Sequence, residues 1–242
     1  MILGVDLGTS GLKCVITNLN EKIVCSTSTK LNINQFNGNC FEQNPDDWIV
    51  ALETCLHNLK LENIDFSNIE AISFSAQMLG CIIIDEHDKP IRPAILWNDG
   101  RSYLESQYLE NNFTKELLPS GCRPNPGLLL PKLLWIKNNE PNNFKKIKKI
   151  LLPKDYLKLF LTGSFSTDPS DASGTMLFDL IRKDWNQNLI DELEIDRDWL
   201  PEVHPSDKDI GKLRQTLLNK WNFNKKIKII NGAGDNAAAA LG

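Results

Sequence analysis

The stretch ILGVDLGTSG, residues 2–11, runs from a short apolar segment into a carboxylate and then a glycine-rich turn. Ile2–Asp6 reads as a strand and Gly8–Gly11 as a tight turn. Leu12–Thr17 alternates and is β-branched, and Lys22–Ser28 reads as a third strand. The links are short and polar, so the three strands are expected to form an antiparallel meander. Glycine lets the backbone approach a phosphate closely and leaves N–H groups free to donate. A carboxylate at the strand end can hold Mg²⁺ through water or accept a proton. In many proteins such an aspartate only caps a turn, so this stretch alone does not decide function.

The same design recurs at the other end of the chain. Ile227–Ile230 reads as a strand, and Asn231-Gly232-Ala233-Gly234-Asp235-Asn236 leads from it into an alanine-rich helix start. Neither stretch has the G-x-x-x-x-G-K-[ST] spacing of a P-loop or the G-x-G-x-x-G of a Rossmann fingerprint.

Between these ends the chain alternates strand-like and helix-like segments. Asn44-Pro45-Asp46-Asp47 starts a helix whose apolar face is Trp48, Leu52, Cys55, Leu56 and Leu59. Ile69–Ser75 is a fourth strand; Cys81–Asp85 and Ile91–Trp97 flank the turn EHDKP. Helices are expected over Arg101–Asn111, Pro131–Lys137, Asp155–Leu161, Trp185–Leu193 and Leu213–Trp221, with Gly163 ending the third. Residues 120–127 and the polar Thr167–Ser173 read as loops.

Composition narrows the class. The chain has 242 residues, 41% hydrophobic and 24% charged, with net charge −4. That balance is ordinary for a soluble globular protein and points to neither nucleic acid nor an anionic membrane as partner. No signal peptide is expected at the first residues, and no apolar run reaches the roughly 18–20 residues of a membrane span. Six cysteines without a C-x-x-C pair read as reduced, mostly buried thiols of a cytoplasmic protein. The three histidines are isolated, and the KKIKK run (145–149) reads as a solvated face beside Ile147 and Ile150.

DLGTSG (6–11) resembles the first phosphate motif of the FGGY carbohydrate kinases. SAQMLG (75–80), RPAILWNDGR (92–101), PKLLWI (131–136), LLPKDYLKLFLTG (151–163), TDPSDASGTMLFD (167–179) and GAGDNAAAALG (232–242) resemble the xylulokinase branch in the same order. The resemblance implies an α/β, actin/hexokinase-like (ribonuclease H-like) ATPase domain: a mixed sheet with the antiparallel meander and flanking helices. Residues 1–230 are then the sugar-binding domain and 231–242 the truncated start of a nucleotide-binding domain whose remainder is missing. The implied chemistry is transfer of the ATP γ-phosphoryl group to a terminal hydroxyl of a ketopentose such as D-xylulose, with ATP and Mg²⁺ as cofactors. A sugar-binding module, an inactive truncated fragment, or a kinase for another ketose or polyol are the alternatives.

Carried over residue by residue, Asp235 matches the catalytic base and Asn236 a sugar contact. Asp6 matches the carboxylate near Mg²⁺, expected to act through water, and forms a catalytic pair with Asp235. Thr9, Ser10 and Lys13 match the phosphate-facing turn. Gln77, Met78, Leu79, Trp97, Asn98 and Asp99 match the sugar side, although Trp97 also reads as a core aromatic and Met78 as plain packing. The SDASGT segment reads as scaffold, with Asp171 structural. The branch usually carries Q-M-H-G where this chain has Gln77-Met78-Leu79-Gly80. Leu79 cannot hydrogen-bond a hydroxyl, and a buried unpartnered hydroxyl costs on the order of 1–3 kcal/mol. The sugar, ATP and the missing domain are the expected partners, with homodimerisation a further family expectation.

Overall fold

The computed structural model describes residues 1–241; Gly242, the last residue of GAGDNAAAALG, lies outside them. In chain order the strands are β1 (Ile2–Leu7), β2 (Gly11–Thr17), β3 (Ile23–Lys30), β4 (Asn34–Phe36), β5 (Cys40–Gln43), β6 (Ala71–Ala76), β7 (Ile82–Ile84) and β8 (Ala94–Ile95). Then come β9 (Lys149–Leu151), β10 (Ser166–Thr167), β11 (Phe178–Asp179), β12 (Asp184–Trp185), β13 (Glu202–Val203), β14 (Lys228–Ile229) and β15 (Ala233–Gly234). The helices are α1 (Pro45–Leu61), α2 (Tyr103–Asn112), α3 (Thr114–Leu117), α4 (Leu129–Asn139), α5 (Pro141–Phe144), α6 (Pro153–Thr162), α7 (Pro169–Ser173), α8 (Gln187–Glu192), α9 (Gln215–Trp221) and α10 (Asp235–Leu241).

The main sheet runs β14-β6-β1-β2-β3, with β15 also pairing β6. The meander forms as expected: β1–β2 and β2–β3 are antiparallel. β6 pairs parallel with β1 on one side and with β14 and β15 on the other. Leu3, Val5, Leu7, Leu12, Cys14, Ile16, Ile72, Phe74 and Ala76 alternate onto one face and are buried there. Each large apolar side chain so buried contributes about 1.5–3 kcal/mol. The opposite face carries Gly4, Asp6, Lys13, Ser73 and Ser75, small or polar residues that leave it open.

The buried face is covered by α1 and α6, which pack across β2, β3 and β6. In α1 the Asn44 side chain accepts from the Asp46 N–H, Pro45 opens the first turn, and Asp46 and Asp47 favour the positive end of the dipole. Trp48, Leu52, Cys55, Leu56 and Leu59 are all buried, as their spacing predicts. α6 ends at Gly163, whose φ of 80° is the left-handed cap that glycine allows. A second core forms around Ile83, Ile95, Leu130, Leu133, Leu177 and Ile190. All six cysteines are free.

Two expectations are corrected and one pair of strands is added. Asn34–Phe36 and Cys40–Gln43, to which the sequence reading assigns no element, form a hairpin joined to β8. Thr167–Ser173 is not loop: it supplies the end of β10 and all of α7, because Asp168 caps the helix by accepting from the Ser170 N–H. Trp185 lies in β12, and the following helix starts only at Gln187, after the Asn186 cap. No described helix is long and apolar enough to cross a membrane.

Gly232 makes the return from β14 to β15 possible. Its φ is +75°, and a Cβ there would lie 2.1 Å from the Phe74 carbonyl oxygen. Gly232→Ala is expected to destabilise the fold by about 2 kcal/mol or more through clash and left-handed strain. Urea unfolding reads this directly; an unchanged midpoint would show that the turn relaxes freely.

Candidate active site

The carboxyl ends of β1, β6 and β15 meet at one edge of the sheet, the place where open α/β sheets bind ligands. β1 and β15 flank β6: Asp6 pairs in register with Ser75, and Gly234 with Ala76. Asp235 follows Gly234 directly. The two aspartates, 229 positions apart in sequence numbering (235 less 6), are therefore separated by two strand spacings, about 10 Å of backbone. Partial burial and the Asp6 charge together raise the Asp235 carboxyl above its ordinary value, while the Asn236 N–H it accepts at 2.8 Å opposes the shift. The result is a more basic carboxylate, suited to accepting a proton.

Asp6 is exposed, and Lys13 stands directly opposite it on β2, also exposed. The turn between them closes with the Gly8 N–H donating to the Gly11 carbonyl at 2.9 Å. Ser10 at its tip is exposed.

Thr9 is placed differently from the expectation that it donates to a phosphate oxygen. Its hydroxyl accepts from the Trp97 indole N–H at 2.9 Å and donates to Gln77 Oε1 at 3.0 Å. Gln77 Nε2 donates in turn to Gln43 Oε1, which also accepts from Trp48 Nε1. Gln43 Nε2 donates to the Thr9 carbonyl at 2.7 Å. Thr9 and Gln77 thus tie the phosphate-side turn to the WNDG segment. Gln77 is 2% exposed and lies beneath the surface of this edge.

Asp99 requires the clearest correction. It is 1% exposed. Its oxygens accept from the Phe41 N–H at 2.6 Å and from the Arg101 N–H, Nε and Nη2 at 2.8–2.9 Å. Arg101 reaches on to Glu42 at 2.7 Å. The carboxylate is consumed in anchoring this loop and is not presented to a sugar.

Trp97, Asn98, Asn236, Met78 and Leu79 are the other residues that the resemblance assigns to a sugar. Trp97 is 49% exposed, so the core reading fails and part of the indole is open to solvent. The Asn98 side-chain oxygen is buried without a partner. Asn236 is exposed and its amide lies 3.8 Å from Met78 Sδ. Met78 packs on Gly234, where a Cβ would come within 2.6 Å of its side chain. Leu79 takes φ +67° and packs against the second core over Gly174, with no polar side-chain atom to offer.

Two features escaped the sequence reading. Lys132 is fully buried and donates to the carbonyls of Leu79 (2.8 Å) and Gly127 (2.6 Å); burial pushes its amine down to about 7. Beneath Asp235 lies a buried ionic cluster. Lys154 contacts Asp155 (3.2 Å), Asp168 (2.9 Å) and Asp171 (3.3 Å), and Lys158 contacts Asp155 (3.0 Å) and Asn231. Burial first, then the neighbouring Asp155 and Asp168 charges, push Asp171 up to about 7 against the opposing Lys154. The visible signal was Lys154, Asp155 and Lys158 inside the otherwise apolar LLPKDYLKLF.

The description "FGGY family of carbohydrate kinases, N-terminal domain" fits residues 1–242. The chain is 40% identical to a xylulose kinase of Lactococcus lactis subsp. lactis, across all of this chain and 48% of that protein. It is 35% identical to a xylulose kinase of Escherichia coli, over all of this chain and 50% of that one. Its structure resembles a xyloylose kinase from Brucella ovis with TM-score 0.94 and 36% identity, covering 98% of this chain and 49% of the other. A gluconate kinase from Lactobacillus acidophilus is similar at TM-score 0.92 and 30% identity, covering 98% and 48%. The chain spans about half the length of the curated relatives it matches. With the actin/hexokinase-like sheet and this sequence likeness together, the chain belongs to the FGGY family of carbohydrate kinases.

Proposed function

We propose that this chain supplies the sugar-binding half of a xylulokinase-type phosphotransferase. It would act on a terminal hydroxyl of a ketopentose, D-xylulose first among them. The observation that carries the reading is the pair of aspartates flanking β6, with Asp235 made more basic by burial and by Asp6. The sugar domain takes in residues 1–230 and also 231–234, since β15 pairs β6 and Asn231 is anchored beside it, so a boundary with a nucleotide domain would fall no earlier than Asp235.

Asp235 would accept the proton of the attacking hydroxyl as its oxygen bonds in line to the γ-phosphorus, while the bond from that phosphorus to the β–γ bridging oxygen breaks and ADP leaves. Trp97 offers an apolar platform for the sugar ring, and Asn98 and Asn236 offer amides to its hydroxyls. Asp6, an exposed oxygen donor beside a glycine turn, fits a hydrated Mg²⁺, which would neutralise charge on the phosphates of ATP. Lys13 and the Gly8–Gly11 turn stand on the phosphate side; Ser10 at the tip is a hydroxyl donor there. Leu79 gives the site one polar group fewer than the Q-M-H-G pattern, so a ketose or polyol needing fewer contacts is the substrate alternative.

A second reading, a sugar-binding module without turnover, rests on the half-length match. Titration and turnover separate the two. Heat with D-xylulose and phosphorylation when a nucleotide-binding half is supplied support the kinase. Heat without phosphorylation supports the module, and no heat with any ketose or polyol contradicts both.

A further inference from the structure

The loop carrying Asp235 is held by groups that never reach the cleft. Ser170 Oγ accepts from the Gly234 N–H at 2.9 Å and donates to Asp168 Oδ2 at 2.6 Å. Asp168 also accepts from the Ser170 N–H at 3.0 Å and the Ser206 hydroxyl at 2.9 Å, and its other oxygen meets Lys154. Asp168 and Lys154 are 0% exposed. Burial disfavours the Asp168 carboxylate, yet Lys154 and the two serines hold it below its ordinary range. At the other end of the loop the Asn231 amide donates to the carbonyls of Thr167 (2.9 Å), His204 (2.9 Å) and Pro205 (3.2 Å), and its oxygen accepts from Lys158.

Burying so many charges is not needed for a core; hydrophobic residues of the same volume usually serve stability as well or better. What the cluster does supply is a fixed direction. The series runs from the Lys154–Asp168 ion pair through the Ser170 hydroxyl, which donates to Asp168 and accepts from the Gly234 N–H, so it ends on the amide just before Asp235. A base must be held within a fraction of an ångström to act on one chosen hydroxyl. We propose that Ser170 and Asp168, braced by Lys154, are positioning residues for Asp235. The proposal deepens, and rests on, the reading of Asp235 as the proton acceptor.

The test uses Ser170→Ala, Ser170→Val and Ser170→Thr in the 242-residue chain. Valine and threonine share one shape, so a loss in valine alone belongs to the hydroxyl, even where alanine fails to fold. Hydrogen exchange of the Gly234 amide is expected to quicken about tenfold in valine and alanine, the scale of one lost hydrogen bond, and to return in threonine. Single-turnover phosphorylation of D-xylulose, read with a nucleotide-binding half supplied, is expected to slow by about the same factor and recover likewise, with calorimetric affinity little changed, as for loss of the Asp235 carboxylate itself. Ser173→Ala removes a hydroxyl from the same short helix, one that donates to the Ser170 carbonyl, and is expected to change neither readout. Unchanged Gly234 exchange in folded valine and alanine variants, or no recovery in threonine, overturns the proposal. If the parent chain gives no heat with D-xylulose, the sugar-kinase reading falls, while Gly234 exchange still decides whether Ser170 holds the loop.

Discussion

Asp235→Ala is expected to lower phosphoryl transfer by about 10²–10⁴-fold, the range a positioned general base contributes, with sugar affinity little changed. The measurement is single-turnover phosphorylation of D-xylulose by this chain assembled with a nucleotide-binding half. The split follows from the geometry. Asp235 starts α10 at the end of β15, at the same sheet edge as Asp6. The Trp97 face, Asn98 and Asn236 remain to hold the ring. An interaction used mainly as the proton moves lowers the rate more than it lowers binding. Asp235→Asn should behave like alanine, since an amide cannot accept the proton. Turnover within a few-fold of the parent in either variant would remove Asp235 from the base role.

The second large effect is on stability. Among the described residues, Lys154 is the only lysine paired with Asp168 and Asp171, and Lys154→Met takes it out of the cluster described above. Removing one partner of a buried ionic group costs about 3–5 kcal/mol, against a typical total of about 5–15 kcal/mol. At roughly 2–4 °C per kcal/mol for a chain of this size, melting falls by about 6–20 °C. The pH dependence has a definite sign. A carboxyl whose folded-state value is raised binds its proton more tightly in the folded than in the unfolded protein. Its stabilising contribution is full below about 4 and is lost as pH climbs through the folded-state value, which for Asp171 is about 7. Without Lys154 the Asp168 carboxyl, now held low, and the Asp171 carboxyl, already raised, both lose the cation that favours their charged forms, so the variant's deficit is expected to shrink as pH falls from 7 to 5. A deficit below about 1 kcal/mol at pH 7, or one that grows on acidification, would contradict the ionic account.

The local chemistry of the chain explains which parts could be read in advance. β1, β2 and α1 announce themselves through alternation, a glycine turn and a capped apolar stripe, all properties of neighbouring residues. Asn34–Phe36 and Cys40–Gln43 are too short and too polar for such a pattern, and their pairing depends on β8, some fifty positions away. The placing of Asp6 and Asp235 at one sheet edge was legible through the family resemblance and through the recurrence of strand, glycine turn and carboxylate at both ends. Asp99 and Gln77 lie in the right segments, but sequence cannot show whether a polar atom points at solvent or at Arg101, Thr9 and Gln43. Lys132, Lys154 and Asp168 were hidden for the same reason. Charged residues usually lie at the surface, so their burial emerges only once their partners are in place.

Calorimetric titration of the chain with D-xylulose addresses the central claim most directly. A saturable heat is predicted, retained in Asp235→Ala and weakened when Trp97 is replaced by alanine, because the exposed indole is read as the ring platform. Absence of heat with D-xylulose and with related ketoses and polyols, from a folded chain, would contradict the assignment of this sheet edge as a sugar site.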